Sequence, residues 1–223
     1  MRLLYHLWLS PFSRIVRIVL AEKGLEFDMT VEKVWERRPD FIAMNPTGKV
    51  PVLVEPDGEV LCESSVICEF LDEMHPDPPL IFSPNPFEKA EVRRLVNWFN
   101  LKFDEEVNRN ILFEKLMKRF LGMGQPDTSA LRAGQQNIET HLSYIDYLME
   151  RRKWLAGDRF SLADIAAAAH LSSIDYLDNV PWDGHDEARA WYARIKSRPS
   201  FRPILADFIP GLPPPAHYAD LDF

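Results

Sequence analysis

The chain has 223 residues, 46% of them hydrophobic, which is enough to bury a substantial core and to divide it between two compact halves. Its 34 acidic and 26 basic side chains give a formal net charge of −8. That balance excludes the concentrated basic surface that a phosphate-backbone binder needs, so nucleic acid is not an expected partner. Only two cysteines, Cys62 and Cys68, are present, with no CxxC pair and no Cys/His cluster. Neither a disulfide framework nor a zinc site is indicated.

The opening segment, MRLLYHLWLSPFSR, has an apolar run too short for a membrane span and no small-residue cleavage pattern, so a mature, cytoplasmic protein without membrane insertion is expected. Residues 2–8 alternate as a strand does. After Ser10-Pro11, the apolar positions Ile15, Ile18 and Val19, with Arg14 and Arg17 opposite, predict a helix that Gly24 terminates. Phe27 to Val31 reads as a second strand, and the stretch from Trp35 to Met44 as a loop holding a short helix. The turn signal Asn45-Pro46-Thr47-Gly48 follows. Asp57-Gly58, between the runs 50–54 and 59–62, is a strong hairpin signal. Val66, Ile67, Phe70 and Leu71 then fall at helical spacing between Ser64 and Met74. A βαβ unit followed by a ββα unit is the order of a thioredoxin-like α/β domain, assigned to residues 1–75.

Five prolines in the segment from His75 through Pro86 exclude helix and mark an extended, semi-rigid linker at 76–86. Beyond it the pattern is all helical to 209. Val92, Leu95, Val96, Phe99 and Phe103 share one long element, and Ile138, Leu142, Ile145 and Met149 another. Ser161, with Asp164 three residues on, predicts an N-cap and an acidic variant of the capping box opening an apolar helix through Leu177. A last helix is expected near 187–196, followed by a Pro-rich acidic tail at 210–223.

Serines at Ser10 and Ser13 stand where a redox-active thioredoxin-like protein presents thiols, which removes thiol–disulfide exchange. A hydroxyl at a helix start can still donate to a bound thiolate and, with the helix dipole, lower its pKa. Ser10 is equally well explained as an N-cap before an N1 proline. Val50-Pro51 reads as a proline that holds the chain open, a candidate cis bond that leaves the backbone of Val50 facing a ligand, or as a fold-determining turn. Glu63-Ser64 lies at the hairpin exit, with Ser64 expected to cap the next helix, where backbone amides can receive a carboxylate. The six histidines lack ligand spacing, so no metal site is expected. Trp35 stands beside charged residues, either as an exposed interface anchor or packed under its loop. The tail has a stiff spacer before Asp220, Leu221, Asp222 and Phe223. Its apolar side chains either fold back on the body or meet a partner.

SPFSR near residue 10, NPTGKVPVL at 45–53, ESSVICEFL at 63–71 and FSLADI at 160–165 together resemble the glutathione transferase superfamily. The resemblance implies the glutathione-transferase fold, a thioredoxin-like α/β half with an all-α half. It also implies Ser10 as thiol activator, Val50 as the backbone clamp on glutathione, and Glu63 with Ser64 at the γ-glutamyl end. The fold hosts catalysts and non-catalysts alike. The stretch Trp35-Glu36-Arg37-Arg38-Pro39 and the ending PPPAHYADLDF are similar to the FtsZ-localised division proteins of bacteria. That likeness implies a homodimer that binds and organises FtsZ filaments at the division site, needs no cofactor, and makes contact through Trp35 and the residues from Asp220 to Phe223. A glutathione-dependent transfer to a small electrophile is the alternative.

Overall fold

The computed structural model describes residues 1–81 and 83–221, which divide into two compact units, Met1–Phe82 and Ser83–Phe223. The first unit is a four-stranded sheet flanked by helices. Its elements are β1 (Arg2–His6), α1 (Pro11–Glu22), β2 (Phe27–Val31), a 3₁₀ turn (Val34–Glu36), α2 (Pro39–Met44), β3 (Val52–Val54), β4 (Val60–Cys62) and α3 (Ser64–Met74). The sheet order is β2-β1-β3-β4. β1 runs parallel to β2 and antiparallel to β3, which is antiparallel to β4. The hairpin forms at Asp57-Gly58, where Gly58 takes φ +94 and the Glu55 amide donates to the Glu59 carbonyl at 2.9 Å.

Two of these elements depart from the sequence reading. Arg14 and Arg17, expected on the solvent side of α1, are buried. Arg14 Nε donates to the Trp8 carbonyl at 2.9 Å, and the Arg17 guanidinium lies over the Trp8 ring at 5.4 Å, so each charge has a partner inside the unit. Ser64 does not cap α3. It is the first residue of that helix, and Glu63 occupies the cap position at φ +69 without a side-chain capping hydrogen bond. The segment that follows α3 is stitched to the unit, because the Asp72 carboxylate accepts from the amides of Leu80 and Ile81 at 2.9 and 2.8 Å.

The second unit is helical. α4 (Pro86–Asn97), capped by Asn85, continues through a π-helical stretch (Trp98–Asn108), α5 (Arg109–Leu112), a second π-helical stretch (Phe113–Met117) and α6 (Lys118–Leu121), and Gly122 ends the run at φ +63. α7 (Thr128–Met149), α8 (Leu162–Asp175), α9 (Asp186–Lys196) and the short α10 (Arg202–Leu205) follow. α8 is buried along its whole length, as its apolar, Ala-rich sequence requires. Gly134 lets α7 approach α5, since a Cβ there would lie 2.6 Å from Ile111 Cγ1. The capping box at Ser161 and Asp164 is present. Asp164 does more than cap: it also accepts from the Leu155 amide at 2.9 Å and from Trp191 Nε1 at 3.0 Å.

Candidate functional site

The strand register gathers the sequence-derived candidates at one end of the sheet. His6 pairs with Val31, Tyr5 with Val52, and Val52 with Cys62. The C-terminal ends of β1, β2 and β4 therefore lie beside the N-terminal end of β3. Ser10 follows the first of these, Trp35 the second and Glu63-Ser64 the third, while Val50-Pro51 leads into β3. Side chains far apart in the chain are thus brought to one edge by the topology, as ligand sites of α/β sheets commonly are.

Ser10 caps α1, its Oγ accepting from the Ser13 amide at 3.3 Å, and Pro11 occupies the first helical position. The oxygen is used as an acceptor and the hydroxyl proton can still be donated. Ser13 is buried, and its Oγ accepts from the Leu7 amide at 3.4 Å, which braces the loop that carries Ser10. The Val50-Pro51 peptide bond is cis. The preceding turn is held by Asn45, whose Nδ2 donates to the Lys49 carbonyl at 2.8 Å and whose Oδ1 accepts from the Thr47 amide and hydroxyl at 3.2 and 2.9 Å.

Glu63 is one of three non-glycine residues with positive φ among those described. Such a backbone costs on the order of 1–3 kcal/mol and is typical of ligand clamps. The Glu63 side chain does not close the end of α3, and Ser64, the first residue of that helix, is buried. The Cys62 thiol has its pKa raised by burial and by the neighbouring Glu63 carboxylate, so it is unsuited to act as a nucleophile. Trp35 is half-buried in its 3₁₀ turn. That turn is bounded by Arg37 in the left-handed region (φ +46) and by an ion pair of Arg38 Nη2 with the buried Glu32 Oε2 at 2.6 Å. No cluster of three or more His, Cys, Asp or Glu side chains suited to a metal occurs among the described residues, and none of their helices is long and apolar enough to cross a membrane.

The tail candidates belong to the second unit, and most of the tail is packed there. Tyr218 is fully buried, with its hydroxyl donating to the Ile204 carbonyl at 3.3 Å and its ring edge-on to Tyr176 at 5.2 Å. The Tyr176 hydroxyl donates to the Leu212 carbonyl at 2.8 Å and accepts from the Ile209 amide at 2.9 Å. Lys196 Nζ donates to the His217 carbonyl at 3.2 Å, and His217 Nε2 faces Asp175 Oδ1 at 3.3 Å. Of the two outcomes open for the tail, residues 209–218 take the first and fold back on the body. Asp220 is exposed and Leu221 half-buried. Asp222 and Phe223 lie outside the described residues. The sequence reading missed Tyr176, Lys196 and Asp175 as the dock. Asp175 and Lys196 are charged residues inside apolar helical patterns, and that was the available signal.

The sheet order β2-β1-β3-β4 followed by an all-helical unit is the glutathione S-transferase architecture, and the chain belongs to that family. The family model of the glutathione S-transferase N-terminal domain matches residues 9–74, and that of the C-terminal domain matches residues 110–199. The residues that would hold glutathione, Ser10, Val50, Glu63 and Ser64, fit that ligand by the open end of α3 and the free hydroxyl proton of Ser10. Within the family the chain is similar to FtsZ-localized protein A of Caulobacter vibrioides, 52% identical over 225 residues covering 100% of this chain and 98% of that one. Among solved structures it resembles FzlA from C. crescentus, with a TM-score of 0.97, 52% identity and coverage of 100% and 99%. It also resembles a glutathione S-transferase from Rhodospirillum rubrum, with a TM-score of 0.97, 53% identity and 100% of both chains.

Proposed function

We propose that this chain is a non-catalytic glutathione-transferase-fold protein that binds FtsZ filaments and organises them at the division site in the cytoplasm, as a homodimer and without a cofactor. The observation that carries the reading is the end-to-end likeness to FtsZ-localized protein A, which extends through the tail. Trp35 and the tail end Asp220, Leu221, Asp222 and Phe223 are assigned to the filament. A half-buried tryptophan and the exposed carboxylate of Asp220 are the kinds of anchor and rim that protein interfaces use. Cosedimentation of the purified chain with polymerised FtsZ tests it. Enrichment in the filament pellet that falls in Trp35→Ala supports the assignment, and a chain that stays in the supernatant refutes it.

A second reading, glutathione transfer to a small electrophile, is favoured by the positive φ of Glu63, a strained backbone that a mere scaffold does not require. Under it Ser10 donates to the thiolate, Val50 clamps the peptide backbone and the start of α3 receives the γ-glutamyl carboxylate. Calorimetric titration with glutathione and an electrophile panel separate the readings. Tight binding with turnover abolished in Ser10→Ala selects the enzyme.

A further inference from the structure

Where α6 gives way to α7, a half-open cavity of about 440 Å³ is lined by Lys115, Lys118, Arg119, Gly122, Gly124 and Gln125. Its volume is in the range of small-molecule sites. In a chain of net charge −8, three cations converge on it. Glu114, also on the wall, is engaged already, since it accepts from the Asp127 amide at 2.6 Å and pairs with Lys118 Nζ at 2.6 Å. The Lys115 ammonium makes no hydrogen bond or ion pair among the described residues. Arg119 donates one bond, from Nη1 to the Gly211 carbonyl at 3.1 Å, and most of its five N–H donors remain available.

We propose that this cavity binds a small anion carrying linked phosphate groups, with Lys115 and Arg119 as its principal contacts and Lys118 adding charge. Lys115 stands three and four positions before Lys118 and Arg119, and all three line the same cavity, so more than one cation can engage a ligand that carries two phosphoryl groups. The guanidinium supplies the forked donors that phosphate takes bidentately. On the facing turn, Gly122 and Gly124 have φ of +63 and +86 and no atom within 4 Å of where a Cβ would stand, so oxygen atoms can approach the backbone there. Burial holds the Lys115 pKa below the usual lysine value, against the opposing pull of Asp178, as expected of a cation short of anions. Arg119 also holds Gly211 at the start of the tail, so a ligand that draws the guanidinium inward loosens that attachment.

Calorimetric titration of the full chain with pyrophosphate and with orthophosphate, at physiological ionic strength, tests the site. Pyrophosphate is expected to bind more tightly than orthophosphate, and Lys115→Gln and Arg119→Gln each to weaken it about tenfold or more, the loss of one charge-assisted hydrogen bond. Lys115→Gln should unfold at the wild-type temperature, which separates a lost ligand from a lost fold. Hydrogen exchange at the Leu212 amide, bonded to the Ile209 carbonyl at 3.0 Å, should quicken when pyrophosphate is added. Absence of binding, or binding equal in the wild type and both variants, overturns the site. Exchange at Leu212 that ignores bound pyrophosphate overturns its link to the tail.

Discussion

Lys23 and Asp72 form an ion pair in which both side chains are wholly buried. Lys23 Nζ also donates to the His75 carbonyl at 2.7 Å, and the Asp72 oxygens accept from the Leu80 and Ile81 amides. The pair therefore fastens the end of α1 to α3 and to the chain that leaves it. A buried pair adds little over an apolar substitute, but half of one is expensive. Asp72→Ala leaves the Lys23 ammonium without its counter-charge and two amides without their acceptor, and should destabilise the first unit by about 3–5 kcal/mol, read as a lower urea midpoint. Midpoints unchanged within error would mean that water reaches Lys23 in solution.

Ser161 and Asp164 look like equal partners in the capping box but should not respond equally. Ser161→Ala removes one capping acceptor, for the Ala163 amide at 3.3 Å, and should cost about 1 kcal/mol. Asp164→Ala leaves the Ser161 and Leu155 amides and Trp191 Nε1 without their acceptor inside the core. Each stranded donor costs about 1–3 kcal/mol, so this variant should lose several times more than the alanine at 161. Thermal unfolding of the pair is the check, and similar losses would reduce Asp164 to a cap.

Three histidines contribute to the pH response between neutrality and pH 4, beside the buried carboxyls of Asp164 and Asp175, whose pKa burial raises. His141 and His170 are buried, and burial pushes them down to about 4 and about 3. His170 Nδ1 faces Asn108 Nδ2 at 2.6 Å and Nε2 faces Asn100 Oδ1 at 3.0 Å, a pair of partners suited to the neutral ring. Folded values below the unfolded ~6.5 mean that their contribution is complete above pH 6.5 and is lost on acidification toward 4 and 3. His185 works the other way. Burial alone would lower its pKa, but hydrogen bonds and charge from Glu139 and Asp146 outweigh it and raise it. Its contribution is complete below ~6.5 and is lost as pH rises through the folded value. Asp164, whose carboxyl burial pushes up to about 6, joins His185 in gaining on acidification, so stability should fall from pH 7 to pH 5 by less than the two buried histidines alone would give. Imidazole NMR should show His185 protonated at a pH where His141 and His170 remain neutral, and a His141 that titrates near 6.5 would sink this account.

The first unit was largely legible because its signals are local. The run Phe27–Val31 reads as β2 with its observed bounds, helical spacing bounds α3 at Ser64–Met74, and Ser10-Pro11 starts α1. What escaped depends on partners distant in sequence. Arg14 and Arg17 look like a polar face until the Trp8 loop covers them. Ser64 has the composition of a cap, yet the backbone at Glu63 turns with positive φ and takes that place. The π-helical stretch had a signal that a 3.6-residue reading misses: Phe99, Phe103 and Val107 are buried at steps of four, and Ile111 of α5 continues the stripe. A stripe sustained at that step drifts around an α-helix but is held by a wider one. In the candidate site, residue types were readable and their convergence was not, because strand order alone brings Ser10, Val50 and Glu63 together.

Ser10→Ala isolates scaffold from chemistry. Losing the acceptor for the Ser13 amide should cost about 1 kcal/mol of stability and leave binding to FtsZ filaments at the wild-type level. A stability cost near zero with filament binding lost would place Ser10 in the interface, contrary to the proposal.

The tail divides into a docked part and a terminal part, and a substitution at Tyr218 beside a truncation after it distinguishes them. Tyr218→Ala opens a cavity against Tyr176 and removes the bond to Ile204, so it should cost about 3–5 kcal/mol, as large buried aromatics do. Removing residues 220–223 leaves that dock in place and should change the melting temperature little. Binding to polymerised FtsZ should nevertheless fall. Asp220→Lys puts a cation at an exposed position near buried Lys196, whose pKa burial lowers to about 8 and Asp220 helps to raise. Its effect on filament binding should be larger at low salt than at high, because exposed charges are screened over ~10 Å at 0.1 M. Phe223→Ala should weaken binding with little salt dependence, the signature of a lost apolar anchor. Cosedimentation at two ionic strengths, beside thermal melts of the same samples, reads all four variants. A 220–223 deletion that pellets with filaments like the wild type but melts several degrees lower would make these last residues a brace for the helical unit and remove them from the partner surface.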